Sequence, residues 1–157
     1  MLSDSRVVNN LPGAVPFAFD FDRAGNLVLT EAGPNAVESF TLRHDGAITP
    51  IASVATGQAA TCWVTHIESH FYASNAGSAS LTEVDSTVRG SLSFVANFAT
   101  GPGTVDASAS PDGAFLYVQT GGNGGVDAFR VGHDGSLAPI GTVIVPNPVG
   151  GEGIVAV

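Results

Sequence analysis

Apolar and polar residues alternate in short runs along the whole chain. Near the start, "VPFAFDF", "LVLTEA", "AVESFTL" and "AITPIASV" follow one another, separated by "DRAGN", "GPN" and "RHDG". Period-two alternation rich in Val, Phe and Thr places successive side chains on opposite faces of an extended chain, which predicts strands. The Asp-Gly pairs at 45–46, 112–113 and 134–135 predict tight two-residue hairpin turns, where glycine supplies the positive φ. Toward the end, "VDASAS", "AFLYVQT", "VDAFRV" and "SLAPIGTV" repeat the same order. Between them, "ATCWVTH", "FYASNA", "SLTEVD" and "SLSFVANF" make a third set.

These sets form a repeat. "RHDGAITPIASV" (residues 43–54) and "GHDGSLAPIGTV" (residues 132–143) align without gaps, 89 residues apart, and "TVRGSLSFVANF" (residues 87–98) lies midway. Gly13, Gly57 and Gly101 are spaced by 44, as are Gly33, Gly77 and Gly121, while Gly25 and Gly113 are 88 apart with Ser69 between. Four antiparallel strands every ~40–45 residues are the signature of a β-propeller blade. A sandwich is the alternative, but it would not repeat so regularly. The predicted fold is all-β: a propeller fragment of three four-stranded antiparallel blades at about 14–54, 58–98 and 102–143. One extra strand is expected at each end, at 3–10 and 152–157.

Composition narrows the function. Of 157 residues, 44% are hydrophobic and only 12% charged, with twenty glycines and nine prolines. This suits one domain of short strands and tight turns. Lysine is absent. Arg6, Arg23, Arg43, Arg89 and Arg130 stand against fourteen acids, giving a net charge of −9. That balance repels phosphate backbones and anionic membrane surfaces, so neither nucleic acid nor membrane is an expected partner. No run approaches the ~18 apolar residues of a spanning helix, and the first ten residues lack a basic, apolar leader pattern. The sequence reads as soluble and carries no address. Cys62, the only cysteine, reads as a small core hydrophobe, with His66 the one nearby base in sequence.

"SPDGAFLYVQTGGNGGVDAFRVGHDGSLAPIGTV" resembles a repeat of the lactonase-type propellers, the 6-phosphogluconolactonase and carboxymuconate-cyclase relatives with YVTN-like repeats. "CWVTHIESHFYASNAGSASLT" resembles the blade before it, with Tyr72, Asn75 and Gly77 in the expected places. The resemblance covers essentially the whole chain. It implies lactone hydrolysis or lactone-forming cyclisation, on seven-bladed rings about twice this length. Three blades cannot close a ring. Two readings stay open: a C-terminal half of a longer propeller, or copies that associate through open blade faces.

Propeller ligands bind at one mouth of the central channel. The loops expected there join a fourth strand to the next first strand, or a second strand to a third. They carry Asn9, Asn10, Gln58, Thr61, Thr104, Asp106 and Glu152. Glu31, Asn75 and Gln119 end the second strands at what the 44-residue period makes equivalent positions. Glu31, Gln58, Asn75, Thr104 and Gln119 are the candidate binding residues for a small-molecule ligand. Strand capping and a solvated rim are the competing explanation for all five. Asp106, where the period puts Cys62 and Ala18 in the other units, and Glu152 are the candidate carboxylates for acid–base work.

Other motifs carry less. His66 and His70 flank Glu68, but the period places this stretch in a hairpin on the opposite rim, so no metal site is expected. His44 and His133 belong to outer turns. "GGNGG" lacks the Lys-Ser/Thr of a phosphate loop, and no Gly-x-Ser-x-Gly elbow is present. The resemblance implies arginine and histidine near the channel, yet the arginines here fall in turns or outer strands. No family catalytic residue is carried over, and no cofactor is implied. A lactone hydrolase or cyclase, a non-catalytic binding or scaffold module, and an inactive fragment are the three functions left standing.

Overall fold

The computed structural model describes residues 6–146 and 149–157. Twelve strands form three four-stranded antiparallel sheets. The first blade is β1 (Pro16–Phe21), β2 (Leu27–Glu31), β3 (Ala36–Leu42) and β4 (Ile48–Ala55). The second is β5 (Thr61–Ile67), β6 (His70–Asn75), β7 (Ser80–Ser86) and β8 (Leu92–Ala99). The third is β9 (Thr104–Ala109), β10 (Phe115–Thr120), β11 (Gly125–Val131) and β12 (Leu137–Ile144). Each sheet keeps sequence order from its inner to its outer strand, which is the meander of a propeller blade.

The blades pack face to face through two apolar layers. Val28 and Val37 of the first blade meet Phe71, Ala73 and Val84 of the second. Tyr72 and Leu81 of the second meet Leu116, Val118 and Phe129 of the third. Alternation makes this possible: Phe71 and Tyr72 are sequence neighbours, yet each serves a different interface.

Strand register corrects the repeat length. Val28 pairs with Ser39, Tyr72 with Glu83 and Tyr117 with Ala128. Those equivalent residues are 44 and then 45 apart. The slip comes from the turn between first and second strands. It holds residues 23–25 in the first blade, 68–69 in the second and 111–114 in the third. A one-residue slip turns every following side chain to the other face. Hence Thr120, which pairs with Thr104 and Gly125, is the equivalent of Glu31 and Asn75; Gln119 is not. Likewise Asp106 corresponds to Ala18 and Trp63, rather than to Cys62.

The same correction moves a glycine. The loop after the second strand folds against the loop before the first, through Gly33 N–H to Ala14 O (2.9 Å), Gly77 N–H to Ala59 O (3.0 Å) and Gly122 N–H to Pro102 O (3.0 Å). A Cβ on Gly122 would lie 2.7 Å from Pro102 O and one on Gly77 3.2 Å from Ala59 O. Glycine is therefore required there by close backbone approach.

The repeated His-Asp-Gly turns also differ from expectation. They are three-residue loops rather than two-residue ones, closed by Arg43 N–H to Ala47 O (2.9 Å) and Gly132 N–H to Ser136 O (2.8 Å). Gly46 and Gly135 have φ of 86° and 81°, the left-handed residue that follows a type I turn in such loops. These turns latch the blades. The carbonyl of Gly135 accepts from the Tyr72 hydroxyl (2.6 Å), that of Gly90 from Ser39 (2.6 Å) and that of Gly46 from Asn9 (3.0 Å).

Of the expected terminal strands, residues 3–5 lie outside the described residues. Residues 6–10 and 151–157 form no strand ladder. They nevertheless lie against the blades: Asn9 bonds the β3–β4 turn, while Ile154 N–H reaches Asp106 (3.3 Å) and Ala156 N–H reaches Ser108 (3.0 Å). Side chains of β9, rather than a backbone ladder, hold this last segment.

Candidate functional site

The ends of the second strands and the loops before the first strands lie together at one rim. In the first blade this rim holds a carboxyl pair. Glu31 closes β2, opposite Pro16 on one side and Ala36 on the other. Glu38 stands two residues along β3 from Ala36, on the same face of the sheet. The two acids, with Leu11, Pro12, Gly13, Ala14 and Pro34, line a cleft of about 300 Å³. Glu31 is 5% exposed. Burial, a hydrogen bond to Glu38 and the charge of Glu38 push its carboxyl up to about 7. Burial penalises the anion, and a second carboxylate beside it does so again.

In the second blade the same rim is locked by hydrogen bonds. Asn75 accepts from Thr61 (2.7 Å) and donates to Ser80 (3.2 Å) and Thr82 (2.9 Å). Thr82 donates to Asn97 (2.7 Å), whose amide reaches Thr56 O (3.3 Å). The Gln58 carbonyl accepts from Ser80 (3.0 Å). Asn75, Thr61 and Thr82 are fully buried. The bonds of Asn75 are directed inward, so it fastens the loop between blades, while Gln58 is half-buried and engages only its carbonyl oxygen.

The third blade resembles the second. Thr104 is buried and shares a hydrogen bond with Thr100. Asp127, equivalent to Glu38 and Thr82, accepts from Gly101 N–H (2.7 Å) and from Thr142 (2.6 Å). Gln119 faces the other way, and its Oε1 is buried without a partner among the described residues. Only the first blade has two carboxyls in place of this locked arrangement.

The inner strands form the channel wall. Each carries a bulge at the same height: between Pro16 and Phe19 in β1, Thr61 and Val64 in β5, and Thr104 and Ala107 in β9. The residues thrown out of register include Ala18, Trp63 and Asp106. Asp106 accepts from Ala107 N–H (2.9 Å) and Ile154 N–H (3.3 Å). Glu152 is exposed. Cys62 is buried, and its thiol is pushed up first by burial and then by the charge of Glu152.

Most cationic side chains of the opposite rim have partners, Arg89 in the β7–β8 turn being exposed without one among the described residues. Arg23 meets Glu68 (3.2 Å), Arg43 meets Asp45 (3.1 Å) and Arg130 lies 5.1 Å above the Phe115 ring. His66 bonds Asp20 of the first blade (2.7 Å), which raises its pKa above the usual histidine value despite burial. His70 meets Glu83 (2.9 Å) beneath the Gly135 turn. The two histidines therefore diverge. A cleft of about 510 Å³ opens here between the second and third blades, lined by residues of these turns.

Sequence reasoning reached Glu31 but missed Glu38. The signal was present: both acids flank the "GPN" turn, and a hairpin brings one diagonally across from the other. Asn10 is exposed and makes no side-chain hydrogen bond among the described residues.

No known family profile matches the chain, and no curated protein matches it in sequence. Solved structures do match in fold. A provisionally assigned 6-phosphogluconolactonase of Bacteroides fragilis superposes with a TM-score of 0.79 at 23% identity, over 90% of this chain and 42% of that one. The periplasmic gluconolactonase of Pseudomonas aeruginosa gives 0.79 at 19%, over 90% and 43%. A virginiamycin B lyase from Staphylococcus aureus gives 0.62 at 14%, over 90% and 45%. The fold is that of a β-propeller segment. Its neighbours include lactonase-like propellers, of which this chain spans about two-fifths of the length.

Proposed function

We propose that this chain contributes the general base of a lactone-hydrolysing site at the mouth of a propeller. The Glu31–Glu38 pair in its cleft carries this reading: a carboxyl that titrates near 7 can take and return a proton at neutral pH. In the reaction, Glu31 removes a proton from water as the water oxygen attacks the lactone carbonyl. The ring C–O bond then breaks, and the leaving oxygen recovers the proton. The substrate class is a small sugar-acid or carboxylic-acid lactone, and ring closure is the reverse step. The lactonase-like fold of the neighbours supports this direction.

A pH-stat assay with glucono-δ-lactone tests it. Proton release above the spontaneous rate is expected from the wild type, and Glu31→Gln is expected to lower that excess about 100-fold or more. Equal rates for the two proteins would overturn the reading. A non-catalytic binding or scaffold module is the second reading. The closed hydrogen bonding of buried Asn75 and Thr104 favours it, because those groups are already spent on holding the rim together.

A further inference from the structure

The channel wall holds an aromatic pair that neither the fold nor the proposed reaction uses. Phe17 of β1 and Trp63 of β5 meet edge to face, with ring centroids 4.7 Å apart. They come from neighbouring blades and sit at the bulges of adjacent inner strands. Bulges re-aim side chains out of the regular pleat. Phe17 is 52% exposed, whereas aromatic residues that build the blade interfaces, such as Phe71 and Tyr72, are fully buried. This pair is therefore not core. Asp106 occupies the same bulge position one blade further on from Trp63, and each of its oxygens accepts only one hydrogen bond among the described residues. Glu152 stands on the segment beyond it, close enough for its charge to act on Cys62, the residue before Trp63.

We infer that Phe17 and Trp63 form a stacking platform for the apolar face of an uncharged sugar-type ring, with Asp106 and Glu152 accepting its hydroxyls. The platform rests on the lactone reading in so far as that ring would be the substrate, and it specifies the substrate further. A ring with axial C–H groups on one face and hydroxyls at its edge matches an aromatic surface bordered by carboxylates. Charge decides between neutral and phosphorylated forms. Glu31, Glu38, Asp106 and Glu152 lie on the mouth rim, the inner strand and the segment beside it. Arg23, Arg43 and Arg130 are engaged elsewhere, while Arg89 sits in the β7–β8 turn and Arg6 precedes Val7 and Asn9 at the Gly46 turn, both at the opposite rim. A phosphate brought here meets like charge without a compensating cation.

Trp63 is the only tryptophan, so its emission reports on the platform directly. The wild-type chain is titrated with D-glucose and, separately, with glucose 6-phosphate at equal ionic strength. A saturable emission change with glucose is expected, with affinity at least about 10-fold weaker for the phosphate. Asp106→Asn should weaken the glucose response about fivefold, and Phe17→Leu should reduce it likewise while leaving circular dichroism unchanged. Absence of a saturable change with glucose, or tighter binding of the phosphate, would overturn the inference. The Glu31→Gln protein separates the two proposals. A retained Trp63 response, with no difference in lactone turnover from wild type, keeps the platform and removes the proposed base. Base-dependent turnover without a Trp63 response removes the platform alone.

Discussion

A single carboxyl sets the pH behaviour at the mouth. In the unfolded chain Glu31 would titrate near its ordinary value of 4.5, while in the fold it is raised to about 7. Below the lower value both states are protonated, and no penalty exists. Between the two, the folded state holds the proton that the unfolded state has released, so stability falls as pH rises. At about 1.4 kcal/mol per pH unit, the loss by pH 8 has a ceiling on the order of 3 kcal/mol, which solvent entering the open cleft lowers by screening. Urea unfolding at pH 5 and pH 8 should show this fall in the wild type and a much smaller one in Glu31→Gln. An unchanged pH dependence in the variant would show that another group carries the penalty.

At the scale of strands and turns, one added residue reassigns an entire edge. Glycine spacing alone makes Gly121 the partner of Gly33 and Gly77. Strand register assigns that place to Gly122, whose added Cβ would press on the Pro102 carbonyl at 2.7 Å. At Gly121 the nearest atom would be the Gly151 carbonyl at 3.4 Å. Gly122→Ala should therefore lower the unfolding free energy by about 2 kcal/mol and Gly121→Ala by less than about 1 kcal/mol. Denaturant midpoints of the two variants check the order, and the reverse order would restore the uniform 44-residue period. Much of this level was legible: strand order, the four-strand unit and the Asp-Gly turns follow from alternation and turn chemistry. The face of Gln119 was not, because a 44- and a 45-residue repeat look alike until hydrogen bonds fix the pairing.

Across the whole molecule, burial differs from blade to blade. Tyr72 and Leu81, on the side of the second blade that meets the third, are fully buried. Their equivalents on the third blade, Tyr117 and Val126, are only half-buried. Ile140, Val143 and Ile144 of β12 are 52%, 67% and 60% exposed. Apolar surface of this kind drives association. We propose that copies of the isolated chain pair through the third blade. Light scattering coupled to size exclusion should show mass rising with concentration, and a monodisperse monomer over a roughly hundredfold range would exclude it.

Sequence by itself determined the local order of this protein. Alternation, glycine placement and the spaced His-Asp-Gly turns are short-range properties, and they specify strands, hairpins and blade number without long-range contacts. The acid excess and the lack of cationic residues at the mouth were equally visible. Tertiary structure decided which side chains share a surface. Glu38 joins Glu31 because β3 folds back beside β2, and Phe17 reaches Trp63 because two inner strands lie side by side. Asn75 is consumed by hydrogen bonds to Thr61, Ser80 and Thr82. Proximity of this kind depends on register and on packing between blades, both of which join residues far apart in the chain.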